Sequence, residues 1–128
     1  MICDTTFLAD LRRERQRALR GPALAFLAAH RRQPFLVTVI SAGEIAVVFN
    51  STADARTYLR RFKVLRLTPE IALVAAQIDR ELIDQRLGEN DNWIAGFCRY
   101  YEQPIISRDT AFDRVRGLRR LSYKLWSL

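Results

Sequence analysis

The sequence has few of the residues on which nucleophilic and zinc-dependent catalysis rely. Its 128 residues include only two cysteines, Cys3 and Cys98, and one histidine, His30. No pair of these has the spacing of zinc ligands, and there is no C-x-x-C pattern. Zinc catalysis and Cys–His chemistry are therefore nearly excluded, and a single histidine argues against a serine triad. We expect both thiols to be buried as small hydrophobic groups in a reducing compartment.

Long apolar runs are also missing. Polar residues interrupt every apolar stretch well before it reaches the length of a membrane span, so we expect no contact with a membrane. The first residues run into Asp4 with no basic-then-apolar leader, and we therefore expect a cytoplasmic protein. With 49% hydrophobic and 27% charged residues, the chain is typical of one globular domain covering residues 1–128.

The chain is strongly basic, with 21 lysines and arginines against 14 acidic residues and a net charge of +7. A basic surface favours polyanionic partners, such as nucleic acid or an acidic protein. An arginine-rich composition on solvated helix faces accounts for the same charge equally well. The charge is therefore compatible with nucleic-acid binding without establishing it.

Short apolar runs alternate with segments of helical periodicity along the chain. This alternation predicts an α/β/α sandwich, in which helices cover both faces of a mainly parallel sheet. The predicted strands are 2–3, 35–40, 64–65, 104–106 and an edge strand at 119–123. Helices are predicted at 41–49, from Thr68-Pro69 to a stop at Gly88, from Asp91 onward, and at 110–115.

Four acidic residues stand where a strand-like run ends or a helix-like run begins: Asp4, Glu44, Asp91 and Asp109. Ligands of open α/β sheets bind outside the carboxyl ends of the strands. Carboxylates that converge there repel one another and raise each other's pKa unless a cation neutralises them. Ligation by oxygen alone suits Mg²⁺ or Mn²⁺. A single acid at a helix start is usually a cap, and the remaining acids, including Asp10, fit solvated helix faces.

The same residues carry a resemblance to a nuclease family. The opening I-x-D-T-T-F-L-x-D, residues 2–10, resembles the start of PIN-domain nucleases, whose usual form is D-T-N or D-T-S. Glu44 stands at the place of their second acid. Residues 88–95, G-x-N-D-x-W-I-A, resemble the third motif, and 107–112, S-R-D-x-x-F, the fourth. The resemblance covers the whole chain, and its motifs are most similar to those of VapC-type toxins of toxin–antitoxin pairs.

The resemblance implies a PIN-like fold and a metal-dependent endoribonuclease. The catalytic metal ligands would be Asp4, Glu44, Asp91 and Asp109, which would hold one or two Mg²⁺ or Mn²⁺ ions directly or through waters. Hydrolysis by activated water would leave a 5′-phosphate and a 3′-hydroxyl on the RNA. Hydrogen bonds from neighbouring polar side chains would orient these carboxylates, and the candidates are Thr6, Asn90 and Ser107. For Thr6 and Ser107, a plain turn or capping role is the alternative.

The resemblance also implies partners: an RNA substrate, a cognate antitoxin protein and a second copy of the chain in a homodimer. The run Ala46-Val47-Val48-Phe49 is apolar on more than one side of the predicted helix 41–49. Such a run fits a dimer face, and it fits an ordinary buried helix at least as well.

Two other functions remain open at this point. A non-catalytic RNA-binding or scaffold domain with a PIN fold would bind RNA in a metal-dependent way without turning it over. A phosphoacceptor domain of the receiver type would have similar length and an acidic pocket, and a phosphoryl donor would label it. That type requires an aspartate at the end of the central strand, and residues 34–40 contain none.

Overall fold

The computed structural model describes residues 1–123. The strands are β1 (Ile2–Cys3), β2 (Leu36–Thr38), β3 (Lys63–Leu65), β4 (Ile105–Ile106) and β5 (Arg120–Leu121). The helices are α1 (Thr5–Gln16), α2 (Pro22–Ala29), α3 (Val39–Ala46), α4 (Thr52–Leu59), α5 (Pro69–Glu81) and α6 (Glu89–Tyr101), followed by a 3₁₀ helix (Thr110–Arg114). Within residues 1–123, no helix has both the length and the apolar character needed to span a bilayer.

The strands form one parallel sheet in the order β3-β2-β1-β4-β5. Ile2 of β1 pairs with Leu36 on one side and with Ile105 on the other. The chain builds β2 and β3 on one side of β1 and then returns to build β4 and β5 on the opposite side. The order of the strands therefore reverses between β1 and β4, the place where open α/β sheets bind ligands.

Alternating side chains of the central strands enter two separate hydrophobic cores. Cys3 and Ile106 belong to the core beneath α1, α2, α3 and α4, whereas Ile2 and Ile105 belong to the core beneath α5, α6 and the 3₁₀ helix. This division follows from the pleat, which turns successive residues toward opposite faces of the sheet. The predicted α/β/α sandwich with a parallel sheet is confirmed. The edge position predicted for the last strand is confirmed as well.

Both cysteines are free thiols and buried. Cys3 and Cys98 lie in the two cores on opposite faces of the sheet. Burial raises the pKa of the Cys3 thiol to about 12, so this group stays protonated at neutral pH. The expectation that the thiols act as small hydrophobic groups is confirmed.

The predicted boundary between β2 and α3 was wrong. The strand ends at Thr38 rather than at residue 40, because the Thr38 hydroxyl accepts a hydrogen bond of 3.1 Å from the Ser41 amide and caps α3. The helix ends at Ala46, so residues 47–49 lie in the turn beyond it. Val47 is 82% exposed there, and the expectation that this run continues a helix is also wrong.

The start of α5 is as predicted, with Thr68 as cap and Pro69 in the first turn. Its end is different, since the helix stops at Glu81 and Gly88 instead precedes the first residue of α6. Between these helices, Leu87 is buried in the second core.

Candidate functional site

The four acidic residues identified from the sequence all lie at the carboxyl edge of the sheet. Asp4 follows β1 directly, and Glu44 belongs to α3, which follows β2. Asp109 lies three residues beyond the end of β4. Asp91 lies in the first turn of α6, and since α6 leads into the beginning of the parallel strand β4, its own beginning lies at the opposite, carboxyl edge. The fold thus gathers acids from four separate segments.

Asp4 is the most deeply buried of the four, with 5% of its surface exposed. Its Oδ1 accepts a hydrogen bond of 2.8 Å from the Thr5 amide, and its Oδ2 accepts one of 2.7 Å from the Ser107 hydroxyl. Burial raises the pKa of Asp4, the two hydrogen bonds oppose that increase, and the negative charges of Asp109 and Glu44 add to it. The ionised form of this carboxylate is therefore unfavourable at this position unless a cation lies near it.

Ser107 connects two of the acidic segments. Its side chain is fully buried, and its hydroxyl donates to Asp4 while accepting a hydrogen bond of 3.0 Å from the Asp109 amide. The Asp109 carboxylate itself accepts from the Ala111 amide at 2.9 Å and caps the 3₁₀ helix. The contact proposed for Ser107 from the sequence is therefore present in the structure.

Glu44 is held by polar side chains on both of its oxygens. The Thr5 hydroxyl donates to Oε1 at 2.7 Å, and the Asn90 side-chain amide donates to Oε2 at 3.2 Å. The Thr5 hydroxyl oxygen also lies 3.0 Å from that of Ser41. Asn90 thus makes a contact of the predicted kind, whereas Thr6 is exposed and has no side-chain hydrogen bond within residues 1–123. The neighbouring hydroxyl, Thr5, occupies the place that the sequence analysis gave to Thr6.

Asp91 shows most directly that the four acids share one electrostatic environment. Its pKa is raised to about 6, first by burial and then by the negative charges of Asp4, Asp109 and Glu44. None of the four forms a salt bridge with another described residue. Their mutual repulsion is therefore not relieved by an ion pair within residues 1–123, although the charge of Asp109 contributes to raising the pKa of Arg120.

The chemistry of these donors fits a hard divalent cation. The donors are carboxylate oxygens, which suit Mg²⁺ and Mn²⁺, and the raised pKa values of Asp4 and Asp91 are those of acids that would gain from a positive charge. Within residues 1–123, no three acidic, histidine or cysteine side chains stand close enough together to enclose an ion by themselves. Because Mg²⁺ usually keeps several of its waters, ligation through water is compatible with this wider spacing.

The sequence analysis misjudged one acid outside this group. Asp10 was expected on a solvated helix face, but only 3% of its surface is exposed. Its partners are Arg13, Arg108 and Tyr123. A signal for its burial was present, since Asp10 follows the core residue Phe7 by three positions and so falls on the apolar stripe of α1.

Comparison with known proteins identifies a family and several structures of similar fold. The family model of the PIN domain matches residues 1–118. Comparison with curated protein sequences finds no significant match. Among solved structures, VapBC2 from Rickettsia felis bound to a promoter DNA fragment has a TM-score of 0.78 at 12% identity, with 96% of this chain and 98% of that chain covered.

Two further complexes are similar in fold. VapBC-1 from nontypeable Haemophilus influenzae matches with a TM-score of 0.76 at 20% identity, over 94% of this chain and 96% of that one. FitAcB from Neisseria gonorrhoeae matches with a TM-score of 0.73 at 16% identity, over 94% of this chain and 95% of that one. At these identities, the similarity establishes a shared fold.

Proposed function

This chain belongs to the PIN-domain family, and on that premise we propose that it is a metal-dependent endoribonuclease and the toxin of a toxin–antitoxin pair. The observation that carries the proposal is the gathering of four acids at one edge of the sheet, where burial and then the charges of Asp4, Asp109 and Glu44 raise the pKa of Asp91. Such an arrangement is costly for stability and is typical of a functional site.

In this proposal Asp4, Glu44, Asp91 and Asp109 hold Mg²⁺ or Mn²⁺, directly or through waters. A bound divalent ion would lower the pKa of a coordinated water and offset the negative charge of the scissile phosphate. The polar neighbours orient the ligands: Ser107 holds Asp4, while Thr5 and Asn90 hold the two oxygens of Glu44. No side-chain nucleophile is needed for hydrolysis to a 5′-phosphate and a 3′-hydroxyl, in keeping with the buried thiols.

Basic side chains are available for the RNA backbone. Arg12, Arg15 and Arg61 line a cavity of about 400 Å³ beside α1 and α4, and none of them forms a salt bridge within residues 1–123. Burial and the nearby charge of Arg61 lower the pKa of Arg15. These three positive charges outnumber the negative charge of Asp54, which lines the same cavity. They support binding of a polyanion, and we expect that binding to weaken as salt is raised.

Cleavage of structured RNA tests the proposal. We expect transfer or ribosomal RNA to be cut in the presence of Mg²⁺ or Mn²⁺, with 5′-phosphate ends on the products, and to stay intact in EDTA. Restoring excess Mn²⁺ after EDTA should restore cleavage, which separates metal removal from irreversible loss of fold. Equal cleavage with and without EDTA would refute metal dependence.

One observation favours the alternative of a non-catalytic RNA-binding domain. The absence, within residues 1–123, of three acidic, histidine or cysteine side chains spaced for direct metal ligation is what a domain that no longer catalyses hydrolysis would also show. The same assay distinguishes the two functions. RNA that is retained by the protein in Mn²⁺ without being cut, across transfer, ribosomal and messenger RNA, would support the binding domain.

We also propose an antitoxin partner and a homodimer. The solved structures with a similar fold include VapBC complexes and a toxin–antitoxin complex from Klebsiella pneumoniae. The turn after α3 presents Val47 and Val48, which are 82% and 50% exposed, as an apolar surface that a second copy would cover. We expect sedimentation equilibrium to give twice the chain mass at micromolar concentration. A monomer at high concentration would refute the dimer.

A further inference from the structure

A cluster of polar side chains outside the acidic site joins α1 to the last described residues. Asp10 of α1 lies at its centre. The Arg13 guanidinium donates to its Oδ1 at 2.8 Å, and Arg108 Nη2 and Nε donate to its Oδ2 at 2.9 and 3.2 Å. The Tyr123 hydroxyl donates to the same oxygen, and the Arg108 guanidinium lies 5.6 Å from the centre of the Tyr123 ring. We call these four residues the Asp10 cluster.

The cluster joins segments that are distant in sequence. Arg108 is 98 residues from Asp10, and Tyr123 is 113 residues from it. Ionised carboxylates are seldom buried unless several donors surround them, and Asp10 has donors on both oxygens. Arg108 approaches the carboxylate with two nitrogens, both of which donate to Oδ2, and its Nε also lies 3.3 Å from the Tyr123 hydroxyl oxygen. Two donors on one planar guanidinium constrain its direction as well as its distance from Asp10.

The contact between Arg108 and Asp10 fixes the direction of a segment of the acidic site. Arg108 stands between Ser107, whose hydroxyl binds Asp4, and Asp109. The strand before this segment, β4, has only two residues, so the strand alone constrains the segment weakly. On the opposite side, Arg120 donates to the Ser107 carbonyl at 3.2 Å and pairs with Asp113. Ser107–Asp109 is therefore held by two ion pairs, and of their two carboxylates that of Asp10 is the buried one.

We propose that the Asp10 cluster is a positioning device for the acidic site, such that divalent-cation affinity depends on a carboxylate that is not itself a ligand. The geometry acts through the backbone: Asp10 holds the Arg108 side chain against α1, and this orients the adjacent Asp109 carboxylate toward Asp4 and Asp91. Asp10 is a positioning residue, because its own oxygens are taken up by Arg13, Arg108 and Tyr123. This inference rests on the proposed metal-dependent function.

The test is the dissociation constant of Mn²⁺, measured by calorimetry on the metal-free full chain. We expect Asp10→Asn to weaken Mn²⁺ binding about tenfold, the lower end of the range for residues that orient metal ligands. Asp10→Glu, which keeps the charge, should recover most of that loss. Tyr123→Phe removes one hydroxyl and leaves the ion pair; it should fold as the parent does and weaken Mn²⁺ binding by less than Asp10→Asn does.

Glu81→Gln is the matched control. Glu81 also receives two hydrogen bonds from one arginine, Arg99, at 2.9 and 3.0 Å, and joins two helices, but away from the acids. This variant should unfold at a lower temperature with unchanged Mn²⁺ affinity. If Asp10→Asn and Tyr123→Phe bind Mn²⁺ as tightly as the parent, the positioning role is refuted and the nuclease proposal stands. If the parent neither binds Mn²⁺ nor cuts RNA, the nuclease proposal fails, and the inference with it.

Discussion

Replacing Asp91 by asparagine should lower the rate of RNA cleavage at saturating Mg²⁺ by about a thousandfold, which corresponds to about 4 kcal/mol of lost transition-state stabilisation. The change removes one negative oxygen from the site while keeping the size of the side chain. Asp91 lies in the first turn of α6 and contributes to no core, so the fold should persist. The measurement is single-turnover cleavage of one RNA, with folding checked by circular dichroism.

Glu89→Gln is a closely matched control for this experiment. Glu89 occupies the same first turn of α6, is exposed, and is not among the charges that raise the pKa of Asp4 or Asp91. The substitution removes the same charge from the same helix end. It should leave the rate of RNA cleavage within about twofold of that of the parent, since the charge of Glu89 acts on the acidic site only at long range and is screened by salt. Activity of Asp91→Asn equal to that of Glu89→Gln would remove Asp91 from the mechanism.

The start of α5 was predicted correctly from neighbouring residues, whereas the Thr38 cap of α3, which is equally local, was missed. The cap formed by Thr68 and Pro69 appears where expected, because capping needs only residues within one helical turn. The parallel sheet also follows from the alternation of strands and helices, with β1 at its centre. Asp4, Asp91 and Asp109 could be assigned to one edge because each lies near a strand end or a helix start, and parallel strands place such positions together. Glu44 lies well inside α3, and its contact with Thr5 brings it to the same edge.

Features that depend on distant residues were not predicted. The local sequence of Asp10 places it on the apolar stripe of α1, but its partners Arg108 and Tyr123 are revealed only by the folded chain. Thr6 was predicted in place of Thr5 for a similar reason. Both threonines follow Asp4 in one helical turn, and only the placement of α3 brings Glu44 to Thr5. Residues on which a site depends indirectly are thus harder to find than the residues in it.

The raised pKa values connect the proposed function to stability. Asp4 and Asp91 are both more easily protonated in the folded chain than in the unfolded chain, and burial is the larger cause for each. Folding therefore stores unfavourable energy at the site whenever these groups are ionised. In the proposed function, a divalent cation would relieve this repulsion by binding the folded state alone, and mass action would then stabilise the protein as the ion is added. Affinity for metal and instability without it would then have one origin.

The effect of Asp91→Asn on the free energy of unfolding should therefore change sign when metal is added. The folded pKa of Asp91 is about 6 against a usual value of 3.8, so ionisation penalises the folded state increasingly as pH rises through this interval and fully above it. In EDTA at pH 7.5 we expect the variant to be more stable than the parent by about 1–2 kcal/mol, after allowing for the lost interaction of the acid with the helix end. This corresponds to a melting temperature about 5 °C higher.

Lowering the pH to 4.5 should shrink that advantage, because the folded parent is then protonated at Asp91 and the penalty largely disappears. Adding Mn²⁺ at pH 7.5 to about a hundred times its dissociation constant should stabilise the parent by about 2.7 kcal/mol and the variant by much less. The parent, less stable in EDTA, then becomes the more stable of the two. Thermal unfolding of both proteins with and without Mn²⁺ measures this reversal. A variant that is less stable than the parent in EDTA at pH 7.5 would show that no repulsion is stored at Asp91.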